Sequence, residues 1–125
     1  MKFFFDNTFG PNIPEVLRIM GVDATHLQQH FPARTLDVDF IPRVGGEGWV
    51  LVTGDNAQNR KPAEKKALED ARVIAVFIYR GFTKLKLFPQ VAFIMRHWLA
   101  IEERVAKVRP GTSLEVNVNG KIEIL

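Results

Sequence analysis

Trp49-Val50-Leu51-Val52-Thr53-Gly54-Asp55 is the stretch whose reading decides the fold. Four consecutive large apolar residues run into Thr, Gly and then a lone carboxylate. The run is short and Val-rich, and Gly45-Gly46-Glu47-Gly48 before it reads as a glycine-rich loop. An apolar run of this kind reads as a strand buried on both faces, an inner strand of a parallel sheet covered by helices. Ligands of such sheets bind just beyond the carboxyl ends of the strands. Asp55 stands at that place.

Two further runs repeat the pattern. Lys2 to Phe5 is short, apolar and followed at once by Asp6, and Val73 to Tyr79 is the most apolar run of all, closed by Gly81. Helical patterns lie between them. Gly10 and Pro11 break the first run, Asn12 and Glu15 have the spacing of a capping box, and Ile13, Val16, Leu17 and Met20 fall on one face before Gly21. Pro62 opens a second helix with Ala63, Ala67, Leu68 and Ala71 inward. The longest helix is expected over 88–108, with Val91, Ile94, Met95, Trp98, Ile101 and Val105 as its stripe, a Glu103–Lys107 surface pair and Pro110-Gly111 as its stop. Leu114–Val118 and Lys121–Ile124 alternate around Asn119-Gly120, which predicts a hairpin through a type I′ turn.

Two segments stay open. Ala24 to Leu27 reads as a short edge strand, with Leu27 to Phe31 as a helical turn. In Thr35 to Pro42, the alternation of Leu36, Val38 and Phe40 signals a strand, while Leu36, Phe40 and Val44 share a helical face. In the helical reading Pro42 limits the element to a turn or two. The expected architecture is an α/β fold: a three-layer α/β/α domain with a central parallel sheet and a C-terminal β-hairpin, one domain over 1–125. The strands ending at Phe5, Val52 and Tyr79 are expected to be adjacent.

Composition narrows the chemistry. The 125 residues contain no cysteine, which excludes disulfides, thiolate metal sites and a Cys nucleophile and suits a cytoplasmic setting. The opening apolar run is cut short by Asp6 and does not read as a signal peptide, and no run approaches membrane-spanning length. Seventeen basic residues against fourteen acidic ones give a net charge of +3, which permits an anionic partner without pointing to one.

The acidic residues carry the functional signal. If the first two buried strands are neighbours, Asp6 and Asp55 share one sheet edge, and Asp37 or Asp39 arrives from the crossover between them. Carboxylates so placed repel and force their pKa values apart. A hard divalent cation relieves the repulsion, and oxygen-only ligands favour Mg²⁺ or Mn²⁺. Such an ion acidifies a water and neutralises a phosphate under attack. The plainer reading, that each Asp caps a turn or a helix, carries about equal weight.

Phe3-Phe4-Phe5-Asp6 with Gly10, then Asp37-x-Asp39-Phe40-Ile41-Pro42, then Gly48 to Asp55 resemble the PIN-like domains. The closer resemblance is to the VapC-type toxin ribonucleases, whose chains carry an aromatic-Ile-Pro step before a Gly-Trp strand. Pro62-Ala63-Glu64, Trp98-x-x-Ile101-Glu102 and Pro110-Gly111 extend it over nearly the whole chain. It implies a Mg²⁺- or Mn²⁺-dependent endoribonuclease, the toxin of a toxin–antitoxin pair, with Asp6, Asp37 and Asp55 as metal-holding catalytic residues. Asp39 is the neighbouring alternative to Asp37, and the family pattern favours the helical reading there. The chain departs from the family after Asp55, where a further acidic residue is common and Asn56 and Asn59 stand instead; Glu64 is the substitute on offer.

Asn7 and Thr53 are placed to hydrogen-bond the carboxylates. Arg60, Lys61, Lys65 and Lys66, with Arg80 at the end of the third run, are the residues expected to contact nucleic-acid phosphates, against the equal prospect of a solvated helix face. His26, His30 and His97 lack metal-ligand spacing and read as structural. The expected partners are RNA, a cognate antitoxin and a second copy of the chain, with no membrane. A receiver domain would need an acidic pair after the first strand, and a haloacid-dehalogenase-type phosphatase an Asp-x-Asp; Asp6-Asn7-Thr8 offers neither. The alternative that stays open is a PIN-like fold with weakened metal binding that acts as an RNA- or protein-binding module.

Overall fold

The structure is a computed structural model and describes residues 1–55 and 60–125. In chain order the elements are β1 (Phe3–Phe5), α1 (Asn12–Ile19), β2 (Ala24–His26), α2 (Asp37–Gly46), β3 (Val50–Thr53), α3 (Pro62–Asp70), β4 (Ala75–Ile78), α4 (Leu87–Val105), β5 (Ser113–Val116) and β6 (Ile122–Ile124), with 3₁₀ turns at Leu27–Gln29 and Arg80–Lys84. All six strands join one sheet in the order β2-β1-β3-β4-β5-β6. Every neighbouring pair is parallel except β5–β6. The expected α/β architecture is found, with β1, β3 and β4 side by side.

The three phenylalanines of β1 show how sequence makes layers. Successive side chains on a strand point to opposite faces. Phe3 and Phe5 pack with α1 and α4 through Ile13, Leu17, Ile94, Trp98 and Ile101. Phe4 packs with α2 and α3 through Phe40, Ile41, Val44 and Leu68. The inner strands β1, β3 and β4 are buried along their whole length, so they lack polar–apolar alternation. Each buried Phe, Leu, Ile or Val contributes roughly 2 kcal/mol.

The open segments resolve. Residues 24–26 form the edge strand β2, and the following 3₁₀ turn is capped by His26, whose Nδ1 accepts from the Gln28 N–H at 3.2 Å. This leaves its Nε2–H to donate to the Phe9 carbonyl at 2.8 Å, a structural role. Residues 37–46 are helical: Phe40, Ile41 and Val44 are buried, whereas Leu36 and Val38, which the strand reading paired with Phe40, are exposed.

Several local expectations are corrected. The helix α2 runs through Pro42 for another turn, because Val44 is locked into the core and Gly45 abuts α3. A Cβ on Gly45 would stand 2.3 Å from the Ala71 carbonyl oxygen. Gly45 and Gly46 are therefore helix, and the loop before β3 begins at Glu47. In α1, Pro11 is the N-cap, Asn12 lies inside the first turn and no side chain caps it, so the capping box does not form; Met20 is exposed. Ala63 faces outward at the start of α3. The α4 helix ends at Val105 rather than 108. The C-terminal hairpin does not turn through type I′, which needs two residues at positive φ. Gly120 alone has it, at +84°, and the Asn117 side chain accepts from the N–H groups of Asn119 and Lys121, closing a three-residue loop.

Candidate active site

Parallel pairing fixes the geometry of the acidic edge. Phe5 lies opposite Val52, so the chain leaves β1 and β3 at one level and in one direction. Asp6 follows β1 directly, its N–H bonded to the Val52 carbonyl at 3.3 Å. Asp55 follows β3 after one glycine. Gly54 has no room for a side chain: a Cβ there would stand 2.4 Å from Thr83 Cγ2 and 3.4 Å from Thr8 Oγ1.

Thr8 ties the two loops together. Its Oγ1 donates to Asp6 Oδ1 and accepts from the Gly54 N–H at 2.7 Å, and its own N–H donates to the same carboxylate at 3.0 Å. Thr53 receives the Asp55 N–H at 3.2 Å. Asp6 is 3% exposed, and burial pushes its carboxyl above the usual range, with the charge of Asp55 adding to the rise. The hydroxyls of Thr53 and Thr8 and the Thr8 N–H pull the other way.

Two helices bring the remaining acids. Asp37 begins α2 and Glu64 lies in the first turn of α3, where each also meets the favourable end of a helix dipole. Asp37 is pushed up to about 6, first by burial, then by Glu64, with smaller contributions from Asp6 and Asp55; Arg60 opposes. The four carboxyls of Asp6, Asp37, Asp55 and Glu64 line one cleft of about 540 Å³, with Thr8, Leu36, Val38 and Lys61. Asp39 does not line it, one residue pair around the helix from Asp37.

The basic residues divide. Arg60 is buried under the α2–α3 wall, its Nη1 4.0 Å from both Asp37 Oδ2 and Glu64 Oε2. Attraction across 4 Å is about 4 kcal/mol at an intermediate dielectric, largely offset by desolvating the three groups. Lys61 stands on the cleft rim and joins Arg80, Thr83 and Lys84 in an adjoining groove beyond Asp55. Lys65 faces a separate groove with Phe77 and Leu125, and Lys66 pairs with Asp70 at 3.1 Å on the surface. Asn7 holds the neighbouring loop, its amide donating to the Ala33 carbonyl and accepting from Gln28 at 3.0 Å, instead of reaching a carboxylate. Asn56 and Asn59 lie outside the described residues.

The sequence reading missed Thr8 and the inward turn of Arg60. The Asp-x-Thr spacing of residues 6–8, repeated in reverse by Thr53-x-Asp55, was the available signal for the first: a short polar side chain two residues away bonds back across a turn.

A family model described as PIN like domain matches residues 1–80. The chain belongs to the PIN-like domain family. No curated protein and no solved structure matches it. The matched span runs from β1 through β4 and contains every carboxylate of the cleft; α4 and the C-terminal hairpin fall outside it. PIN-like domains are commonly nucleases. The resemblance implies a divalent cation, and the cleft suits one in kind: its carboxylates offer oxygen ligands, and the buried Asp6 and half-buried Asp37 are both raised partly by neighbouring carboxylates. Among the described residues, however, no three Asp, Glu or His side chains converge closely enough to hold a metal ion as they stand.

Proposed function

We propose that this PIN-like domain is a metal-dependent endoribonuclease, of the VapC type and the toxin of a toxin–antitoxin pair, working in the cytoplasm as one domain over 1–125. The observation that supports it best is the meeting of Asp6 and Asp55, from adjacent parallel strands, with Asp37 and Glu64 in one cleft. Asp6, Asp55 and Asp37 would hold Mg²⁺ or Mn²⁺, which supplies charge neutralisation for a phosphate and acidifies a water. The chain's own residues do the rest. Thr8 and Thr53 fix the Asp6 and Asp55 loops, Asp37 orients a water across the cleft, and Lys61, Arg80 and Lys84 seat the phosphates of the strand. Flexible cations on a groove contact the backbone without reading sequence. The resemblance around Phe40-Ile41-Pro42 and Gly48-Trp49 supports the toxin reading, with an antitoxin and a second copy of the chain as partners.

The test is cleavage of RNA by purified protein in Mn²⁺ and in Mg²⁺, beside Asp6→Asn and an EDTA control. Cleavage that needs the ion and drops by a factor of about a thousand in Asp6→Asn is the expected result. For the toxin role, induced expression should arrest growth with the wild type and spare it with Asp6→Asn.

A second reading has its own support: among the described residues the acidic side chains do not converge closely enough to hold a metal, and Arg60 already lies 4.0 Å from both Asp37 and Glu64. On that reading the chain is a PIN-like module that binds RNA or a protein without cutting. RNA binding that survives Asp6→Asn and Asp55→Asn unchanged, in protein that cleaves nothing, would favour it.

A further inference from the structure

The Arg60 side chain is 2% exposed, and its Cζ lies 4.8 Å from the centre of the Phe77 ring on β4. The cleft is lined by Asp37 and Glu64 but not by Arg60, which borders the adjoining groove with Asp55, Lys61 and Glu64. The guanidinium therefore lies beside the two carboxyls at the first turns of α2 and α3, buried between the cleft and the adjoining groove. Its Nε, Nη1 and Nη2 find no hydrogen-bond partner among the described residues. What holds it is charge at 4.0 Å on two sides and the aromatic face below. A buried guanidinium is stable only when opposing charge compensates its lost water. Asp37 and Glu64, half-buried side chains whose charges repel across α2 and α3, have the complementary difficulty.

We infer that Arg60 is the built-in counter-cation of the acidic cleft, neutralising the Asp37–Glu64 wall so that α2 and α3 close on one another with no ion bound. The inference concerns the cleft of the nuclease reading, but it needs neither cleavage nor metal. It assigns the four carboxyls unequal dependence on an outside cation. Asp37 and Glu64 share an internal positive charge, whereas the Asp6 carboxylate is met by hydroxyl and backbone donors and, among the described residues, by no cation. It also sets Arg60 apart from Lys61, its neighbour in the sequence, which lies open on the rim.

The experiment is a double-mutant cycle read by thermal unfolding in EDTA, with wild type, Arg60→Met, Glu64→Gln and the double variant. Methionine keeps most of the packing on Phe77 and removes the charge. Arg60→Met should lower the melting temperature by roughly 5 °C or more. The double variant should lose clearly less than the two single losses added, since Glu64→Gln removes a charge that Arg60→Met strands. A second readout is Mn²⁺: the melting increment it produces should be larger in Arg60→Met than in wild type, because the ion then takes over the missing charge. Additive losses together with an unchanged Mn²⁺ increment would overturn the inference and leave Arg60 as packing alone. If Arg60→Met does not fold, Arg60→Lys against Arg60→Gln decides: the lysine variant should stay markedly more stable, and equal losses would overturn the inference. A wild type that takes up no Mn²⁺ and cuts no RNA, yet gives the non-additive cycle, would sink the nuclease reading and uphold the counter-cation.

Discussion

The cleft is built from two kinds of carboxylate. Asp6 and Asp55 are borne by the sheet: each follows a buried strand, and each position is fixed by parallel pairing and by threonine hydroxyls. Asp37 and Glu64 are borne by helices, and their separation depends on how closely α2 packs on α3. The sheet-borne pair is held by hydrogen bonds within a few residues of sequence, and across the two strands by the Asp6 N–H on the Val52 carbonyl and by Thr8 on the Gly54 N–H. The helix-borne pair is held by a charge, Arg60, and by the close approach at Gly45. Directed hydrogen bonds fix a position; an ion pair at 4.0 Å holds charge balance and leaves position to packing. Disturbance of the sheet-borne pair should therefore appear as lost geometry, and of the helix-borne pair as changed response to charge, pH and helix spacing.

The sharpest way to break the sheet-borne half is Thr8→Val. It removes a donor to the buried Asp6 carboxyl and the acceptor of the Gly54 N–H in one isosteric change. The expected loss is about 3 kcal/mol, since hydrogen bonds to charged groups and unsatisfied buried donors each cost that order. Urea denaturation would measure it. A loss below about 0.5 kcal/mol would mean that the Asp6 loop is held some other way.

The helix-borne half breaks at Gly45→Ala. A methyl there meets the Ala71 carbonyl oxygen at 2.3 Å and the Ala71 Cβ at 2.7 Å, both on the far end of α3. Backbone cannot step aside as a flexible side chain can, so α2 must lift off α3. We expect a loss of roughly 2 kcal/mol. Metal binding should also weaken, because Asp37 and Glu64 move while Asp6 and Asp55 stay. If stability drops and Mn²⁺ affinity does not, Asp37 and Glu64 are not ligands.

The pH dependence separates the halves next. The Asp37 carboxyl rises from 3.8 to about 6 on folding, chiefly by burial and then by Glu64. A carboxyl with a raised folded value stabilises most below its unfolded value and loses that contribution as pH rises through the folded one. In EDTA, the stability of the wild type should fall between about pH 4 and pH 6 relative to Asp37→Asn, with the difference constant above. Parallel pH profiles for the two proteins would contradict the assignment.

What the sequence made legible follows the same division. The sheet-borne acids could be read because a buried strand is a local pattern, and the residue after it is placed as soon as the strand is. The helix-borne acids could not be chosen so easily. Leu36, Val38 and Phe40 fit a strand and Leu36, Phe40 and Val44 a helix, and only burial against Phe4 and Leu51 decides between them. The choice between Asp37 and Asp39 is then a matter of helix rotation. Thr8 bridges to a residue 46 positions away, a contact that exists only once β1 and β3 are known to be neighbours. Arg60 stands in a basic cluster that fits a phosphate contact and a solvated helix face equally well, and both readings turn it to solvent. Phe77, on a strand beyond the next helix, is what turns it inward.

The smallest effect tests the far end of the helix that carries Glu64. Arg72 closes α3 in the left-handed region, at φ +56°. The Arg72 N–H bonds to the Glu69 carbonyl and the Val73 N–H to the Leu68 carbonyl, the paired closure that usually has glycine at this position. Arginine carries a Cβ and is strained there, and it is exposed, so its side chain returns little in packing. Arg72→Gly should stabilise the protein by about 0.5 kcal/mol, the relief of strain exceeding the extra freedom glycine gives the unfolded chain. Urea denaturation again measures it. Glu64 lies at the other end of the helix, so the Mn²⁺ increment should not move. A stabilised Arg72→Gly with an altered increment would show that the register of α3 sets the cleft, and that the helix-borne pair is coupled to its whole helix rather than to Arg60 and Gly45 alone.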